Sequence, residues 1–440
     1  MNKKMNWDVI HYPTYWVGDT TGVFKRTELA YPYVPKEHPK FAQSMAVGNL
    51  LFVSGCTGQD TVAGGPTPAT IEGQMKNALD NARSAMETAG SSLENVVKTF
   101  ILARNVEDYR RILEIEAAYY SEHAPYLVEN PPATTLILVS SLARPKFLFE
   151  YEVIGVIDRN APGWGVTYYP EYRGAKKLAY PHVPMEQEKF ARTEVVGNLV
   201  IVSGCQALDH DSMRVETGDF EEQARIVLDK IRIAMEETGG SLNNLVKTNV
   251  FLKDSRNLKR FRYVERAYFE EHAPELAQSP PAGTAMVVSD LPHPRFQLEV
   301  EAFGVVDKTA PDWPTEYFPG NRDASACVSA GNLLFLSGCD GSDPNTGSVE
   351  TEVVERQIIA ALDKVKAILE DAGSSMEKVV RTLMMLRHVE DYPRMRKTEV
   401  EYYQKHAPSL VAKPPVSTFV QLPVISSPET LFQVDVTATL

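Results

Sequence analysis

Three Ser-Gly-Cys tripeptides are the residues whose types and repetition could do chemistry: Ser54-Gly55-Cys56, Ser203-Gly204-Cys205 and Ser337-Gly338-Cys339. A thiol beside a turn with free backbone N–H groups has the parts of a nucleophile facing an oxyanion site, provided a nearby cation or base lowers its pKa. The same cysteines also suit a small buried apolar side chain. Both readings stay open on sequence alone. The fourth cysteine, Cys327, stands apart, so the set makes neither a disulfide framework nor a Cys-x-x-Cys metal site. His123, His272 and His406 recur in a His-Ala-Pro stop, where a cation closing a helix before proline is explanation enough. No His/Asp/Glu set has metal-ligand spacing, and neither a phosphate-cradling Gly loop nor a Gly-x-Ser-x-Gly elbow occurs. The expected cofactor is none.

The elements that must position these residues repeat with them. Pro131-Pro132, Pro280-Pro281 and Pro414-Pro415 each begin 77 residues after the serine of their own copy, so one unit runs three times without a net gap. The divisions expected are 1–157, 158–306 and 307–440. In the first unit, the apolar run from Asn49 to Ser54 predicts a buried strand entering a turn. Ile71, Met75, Ala78, Leu79, Ala82 and Met86 then recur at helical spacing up to Ala89-Gly90, a glycine stop. A strand Val96–Leu102, a second helix ending at His123-Ala124-Pro125, and strands Thr134–Val139 and Phe147–Val156 complete an α+β unit with its helices on one face of a sheet. The final strands, such as Phe147-Leu148-Phe149-Glu150-Tyr151-Glu152-Val153, alternate apolar and polar residues, so their second face carries carboxylates. Three such sheets closing around a shared axis would leave clefts at the seams, where ligands usually bind. Aromatic, Pro-dense arms precede the units: Trp7 with His11-Tyr12-Pro13, Tyr15-Trp16 and Tyr31-Pro32-Tyr33-Val34-Pro35; Trp164 with Tyr180-Pro181-His182-Val183-Pro184; and Trp313. They suit extended straps between units, or a substrate lid.

Composition narrows the partners. The chain has 440 residues and a net charge of −13, with no Lys/Arg block that would follow a phosphate backbone, so nucleic acid is not an expected partner. No window reaches 18 uninterrupted apolar residues and the first residues lack an apolar signal core, which predicts a cytoplasmic protein that engages no membrane.

Together, Val47-Gly48-Asn49-Leu50-Leu51-Phe52-Val53-Ser54-Gly55, Gln74 with Asn77-Ala78-Leu79-Asp80, Ala89-Gly90-Ser91-Ser92-Leu93-Glu94-Asn95-Val96-Val97-Lys98-Thr99, Pro131-Pro132-Ala133-Thr134-Thr135 and Glu150-Tyr151-Glu152 resemble the Rid (YjgF/YER057c/UK114) family of enamine/imine deaminases. The resemblance covers nearly the whole chain, three times. It implies chorismate-mutase-like domains and, because family members are typically homotrimers, a covalent pseudo-trimer with its sheets around a central axis and pockets at the seams. Association of whole chains into a homo-oligomer of such pseudo-trimers is also open.

The resemblance implies residue roles as well. The family's carboxylate-gripping Arg, a planar fork on the third strand, is here Thr134, Gly283 and Ser417; its pocket Tyr is Phe41, Phe190 and Ala324. What carries over is the Ser-Gly pair of each copy and an acid on the last strand: Glu150, Glu299 and Asp435. Such an acid would pass the proton that lets ammonia leave a hydrolysed C=N bond. Its plainer alternative is a seam contact or a pair with a neighbouring Lys or Arg. Arg104, Lys253 and Arg387, just after the second strand, are candidates to replace the missing cation, as are Arg144 and Arg295. The expected function is a cofactor-independent deaminase acting on an enamine or imine of a small carboxylated metabolite, for example an aminomuconate-type intermediate. The alternatives are a Cys-dependent C–N hydrolase and a non-catalytic ligand-binding or regulatory protein.

Overall fold

The computed structural model describes residues 5–12, 41–61, 66–170, 190–208, 214–343 and 346–440. Each unit begins with a tight hairpin: Ser44–Val47 with Leu50–Thr57, Ala191–Val196 with Leu199–Cys205, and Cys327–Ala330 with Leu333–Leu336. Its turn holds Gly48, Gly197 or Gly331 at φ near +60°, a conformation that favours glycine. The first helix follows, Ile71–Thr88, Phe220–Glu237 or Val354–Asp371. Thr70 and Asp219 cap the first two by accepting the N–H of Gly73 and Glu222. The second strand (Val96–Ala103, Leu245–Leu252, Val379–Leu386) lies parallel to the third (Ala133–Leu138, Ala282–Val287, Val416–Gln421), with the second helix as the crossover between them. The last strand (Phe149–Val156, Leu298–Val305, Phe432–Thr439) pairs antiparallel between the second strand and the hairpin.

A buried glutamine locks each helix to its sheet. Gln74, Gln223 and Gln357 each donate to the carbonyl of Lys146, Arg295 or Glu429 and accept the N–H of Leu148, Gln297 or Leu431, just before or at the start of the last strand. The sheet's helical face holds one apolar core per unit, and its other face builds two further cores to which all three units contribute. The expected α+β units around an axis are thus the observed architecture.

The ring closes by one contact used three times. The amides of Ala42, Ala191 and Ser325 donate to the carbonyls of Pro415, Pro132 and Pro281 in the preceding unit, at 3.0, 3.1 and 3.3 Å. On the axis, cations of one unit pair with acids of the next: Lys98 with Glu301 (2.8 Å), Lys247 with Asp435, and Arg381 with Glu152 (2.6 Å). They surround a cavity of about 30 Å³. At one end of the molecule Trp7, Trp164 and Trp313 meet edge to face, with centroids 4.7 to 5.3 Å apart, and lie against the hairpin glycines Gly331, Gly48 and Gly197. These parts of the arms act as straps. The segments carrying Tyr15-Trp16, Tyr31-Pro32-Tyr33-Val34-Pro35 and Tyr180-Pro181-His182-Val183-Pro184 lie outside the described residues.

Candidate functional site at the seams

The Ser-Gly-Cys tripeptides do lie at the seams, but not as turns. In the first two units the strand runs on through the tripeptide, and the register slips beside Ser54-Gly55 and Ser203-Gly204, a β-bulge. Only in the third does the strand break, resuming at Cys339–Asp340.

Each serine is a cross-seam staple. Ser54, Ser203 and Ser337 donate to Ala42, Ala191 and Ser325 of their own unit at 2.7, 2.5 and 2.6 Å. Each also accepts the backbone N–H of Ser417, Thr134 or Gly283 from the neighbouring third strand, at 2.9, 2.8 and 2.8 Å. The hydroxyls are therefore committed to assembly. The glycines matter by close approach: a Cβ on Gly55 or Gly204 would stand 1.9 or 1.8 Å from the Oε1 of Glu150 or Glu299.

The cysteines turn inward. Cys56, Cys205 and Cys339 donate to the carbonyls of Ser54, Ser203 and Ser337 and belong to the helix-side cores of their own units. Burial pushes the Cys339 thiol up to about 12, so its thiolate is strongly disfavoured.

The acids divide differently from expectation. Glu150 and Glu299 sit at the seams, but their counterpart in the third unit is Gln433, whose amide lies 2.2 Å from the Cβ position of Gly338. Asp435 stands two residues further on, in register with Glu152 and Glu301. It faces the axis, where it binds Lys247, Arg381 (3.1 Å) and Thr284 (2.5 Å). Strand alternation cannot distinguish a slip of two, because both positions point to the same face. Glu150 is 3% exposed and its Oε2 has no partner at hydrogen-bond geometry; Glu299 is fully buried and neither of its oxygens has one. Burial raises both carboxyls to about 8. The Phe419 amide and Arg396 pull Glu150 down, as Gln206 and Lys98 do Glu299, without cancelling that burial.

Arg104, Lys253 and Arg387 are held instead by the loop carbonyls of Pro145, Pro294 and Pro428, and Lys253 also pairs with Asp290 at 2.5 Å. Arg144 lies over the Phe147 ring, and the carbonyl of Arg295 serves the Gln223 tie. His123, His272 and His406 pack at a tilt against the rings of Tyr119, Tyr268 and Tyr402 at the helix ends, with centroids 4.4 Å apart.

A seam cation missed by sequence reasoning comes from the second helix. Arg396 is 2% exposed; it donates to Ser417 Oγ (3.0 Å), Glu399 (2.8 Å) and Tyr392 Oη (3.2 Å), and lies 5.9 Å from the Phe41 ring across the seam. It brings a guanidinium to the strand position where the resemblance lacked one. Arg262 does the same beside Gly283, its Nη2 standing 3.1 Å from the Cβ position there, and pairs with Glu265 at 2.6 Å. The equivalent residue in the first unit is buried Leu113. One signal was legible: this position lies 59 residues after the seam serine in all three copies, and reads Leu, Arg, Arg.

The seams therefore differ. The one between units 3 and 1 has Arg396 and Glu150; that between units 2 and 3 has Arg262 and Gln433; that between units 1 and 2 has Glu299 and Leu113. Among the described residues no metal-holding cluster of His, Cys, Asp or Glu occurs, and no helix is long and apolar enough to cross a membrane.

Three tandem chorismate-mutase-like units joined by stapled seams define the class. The chain belongs to the Rid/YjgF family, described as Endoribonuclease L-PSP, whose pattern it matches at residues 34–157, 182–306 and 322–440. It is 37% identical over 107 residues to a RutC family protein of Pyrococcus abyssi, covering 24% of this chain and 78% of that one. It is 29% identical over 107 residues to the 2-iminobutanoate/2-iminopropanoate deaminase of Rattus norvegicus, covering 23% of this chain and 78% of the relative. Among solved structures, yeast Mmf1 matches with 25% identity and a TM-score of 0.25, covering 32% of this chain and 99% of the other.

Proposed function

We propose that this chain is an imine deaminase acting on a small carboxylated imine at the seam between units 3 and 1. One observation carries the reading: Arg396, bonded to Ser417, and Glu150, packed against Gly55, flank the Ser54-to-Ser417 staple there. The name of the rat relative, an iminobutanoate/iminopropanoate deaminase, supports the same chemistry.

Arg396 holds the substrate carboxylate as a fork, pre-set by Glu399 and Tyr392. Glu150, protonated at neutral pH because burial raises its carboxyl to about 8, gives its proton to the imine nitrogen. The resulting carboxylate takes a proton from water as its oxygen adds to the carbon. Glu150 then returns that proton to the amino group of the carbinolamine, and C–N cleavage, with the hydroxyl proton passing back to the Glu150 carboxylate, leaves ketone, ammonia and the protonated acid. An aminomuconate-type substrate satisfies the same requirements. A polynucleotide does not, because both groups are buried at a stapled seam of an acidic protein.

The test is ammonia release from 2-iminopropanoate generated in situ, measured above the uncatalysed rate. Glu150→Gln lowers kcat by about 10² or more. Arg396→Met raises KM, and Cys56→Ser leaves turnover intact. Full activity in Glu150→Gln overturns the reading; loss in Cys56→Ser favours the thiol.

A further inference from the structure

We propose that the seam between units 1 and 2 is a second, distinct site, which binds a small organic cation lacking a carboxylate, an ammonium or iminium with an apolar body, on Glu299.

Glu299 is fully buried, and neither of its oxygens has a partner at hydrogen-bond geometry; the donors that bear on it, the Gln206 side chain and the Leu136 amide across the seam, are neutral. Ionising an unpaired carboxyl out of water is expensive, several kcal/mol for an ion after relaxation, and burial accordingly raises this one to about 8. One seam further on the chain carries no such group. There Gln433 stands in the acid's place, and the Gly338 N–H is bonded across the seam to the Gly283 carbonyl at 3.1 Å. At the seam between units 1 and 2 the acid persists while the helix position that supplies the guanidinium elsewhere is Leu113.

The charge balance selects the ligand. Lys98 is the nearby cation, but it is already paired with Glu301 at 2.8 Å and bonded to Thr135. The Thr134 hydroxyl is taken up with Thr99 at 2.8 Å. A ligand must therefore bring the positive charge itself, and a carboxylate on it would meet no guanidinium. Phe190, half-buried at the start of the hairpin, and Leu113 favour an apolar body. The inference rests on the reading that seam acids face a substrate nitrogen, but it requires no turnover.

The experiment is calorimetric titration of the full chain with isobutylammonium chloride. Burial holds the Glu299 carboxyl at about 8 against Gln206, Lys98 and the Leu136 amide, which lower it, and with Glu301, which raises it, so it becomes anionic as pH rises. The amine stays protonated up to roughly pH 10. One site per chain is expected, with affinity at least about tenfold higher at pH 9 than at pH 6.5. Glu299→Gln abolishes it, whereas Glu150→Gln and Arg396→Met retain it. No saturable binding to the unaltered chain, or binding lost in Glu150→Gln but kept in Glu299→Gln, overturns the proposal. If Glu299→Gln does not fold, affinity independent of pH on the unaltered chain overturns it instead. Since 2-iminopropanoate turnover plays no part in this assay, its failure is distinguishable from failure of the deaminase reading.

Discussion

Glu150 and Glu299 are the residues on which both readings turn, and their burial has a consequence for stability as well as chemistry. A carboxyl raised from 4.5 to about 8 by folding binds its proton more tightly in the folded chain than in the unfolded one. Its contribution to stability is fully present below pH 4.5 and is lost as pH climbs through 8. Glutamine mimics the protonated form at every pH. Glu150→Gln and Glu299→Gln should therefore leave the melting temperature nearly unchanged at pH 5 and raise it by a few degrees at pH 9. Equal effects at the two pH values in calorimetric melts would contradict the burial of unpartnered carboxyls. The cysteines lie at the opposite extreme, with their sulfurs bonded to the preceding serine carbonyls inside the core.

At the scale of the element, the second helix and the last strand each present two functions on separate faces. The helix closes its own unit's core through residues such as Met395 and Tyr402, yet turns Arg396 toward the seam. The last strand sends Glu150 to the seam and Glu152 to the axis from successive positions of one face. The axial pairs tie those strands together. Lys98 and Glu301 are 4% and 6% exposed, and removing one partner of a buried pair strands the other's charge. Lys98→Met should lose about 3–5 kcal/mol in urea unfolding, while Lys98→Met with Glu301→Leu recovers most of it. A loss under about 1 kcal/mol in the single variant would mean that the axial pairs do not hold the ring.

Across the whole molecule, fusing three units into one chain frees the seams from being identical. Three serine staples, three proline-carbonyl contacts and three tryptophans keep the ring's symmetry, while the helix cation and the seam acid vary independently. The seam between units 2 and 3 has the guanidinium of Arg262 but carries Gln433 in place of the acid. Glu150→Gln combined with Gln433→Glu should therefore regain part of the ammonia release that Glu150→Gln loses, through Arg262. Activity no higher than that of Glu150→Gln alone would show that the closed Gly338–Gly283 contact, and not the missing carboxyl, keeps that seam silent.

The repeat, the order of elements, the helical faces and the family were legible in the sequence, because each depends on local spacing: Ser to Pro-Pro, Met75 to Leu79, Glu150 to Glu152. The seam location of Ser54 and its copies was legible only through the resemblance. What the tertiary structure alone decided concerns direction and register. Asp435 and Gln433 share a face, so only strand pairing shows which one meets the seam and which the axis. The replacement cation lies on the crossover helix, 21 residues before Ser417, and Arg396 reaches Ser417 only because the crossover packs that helix over that strand. The sequence by itself determined that one unit is built three times. Only the packing of units around an axis decided that the three seams carry different charges, because each seam joins residues from two units that no local pattern links.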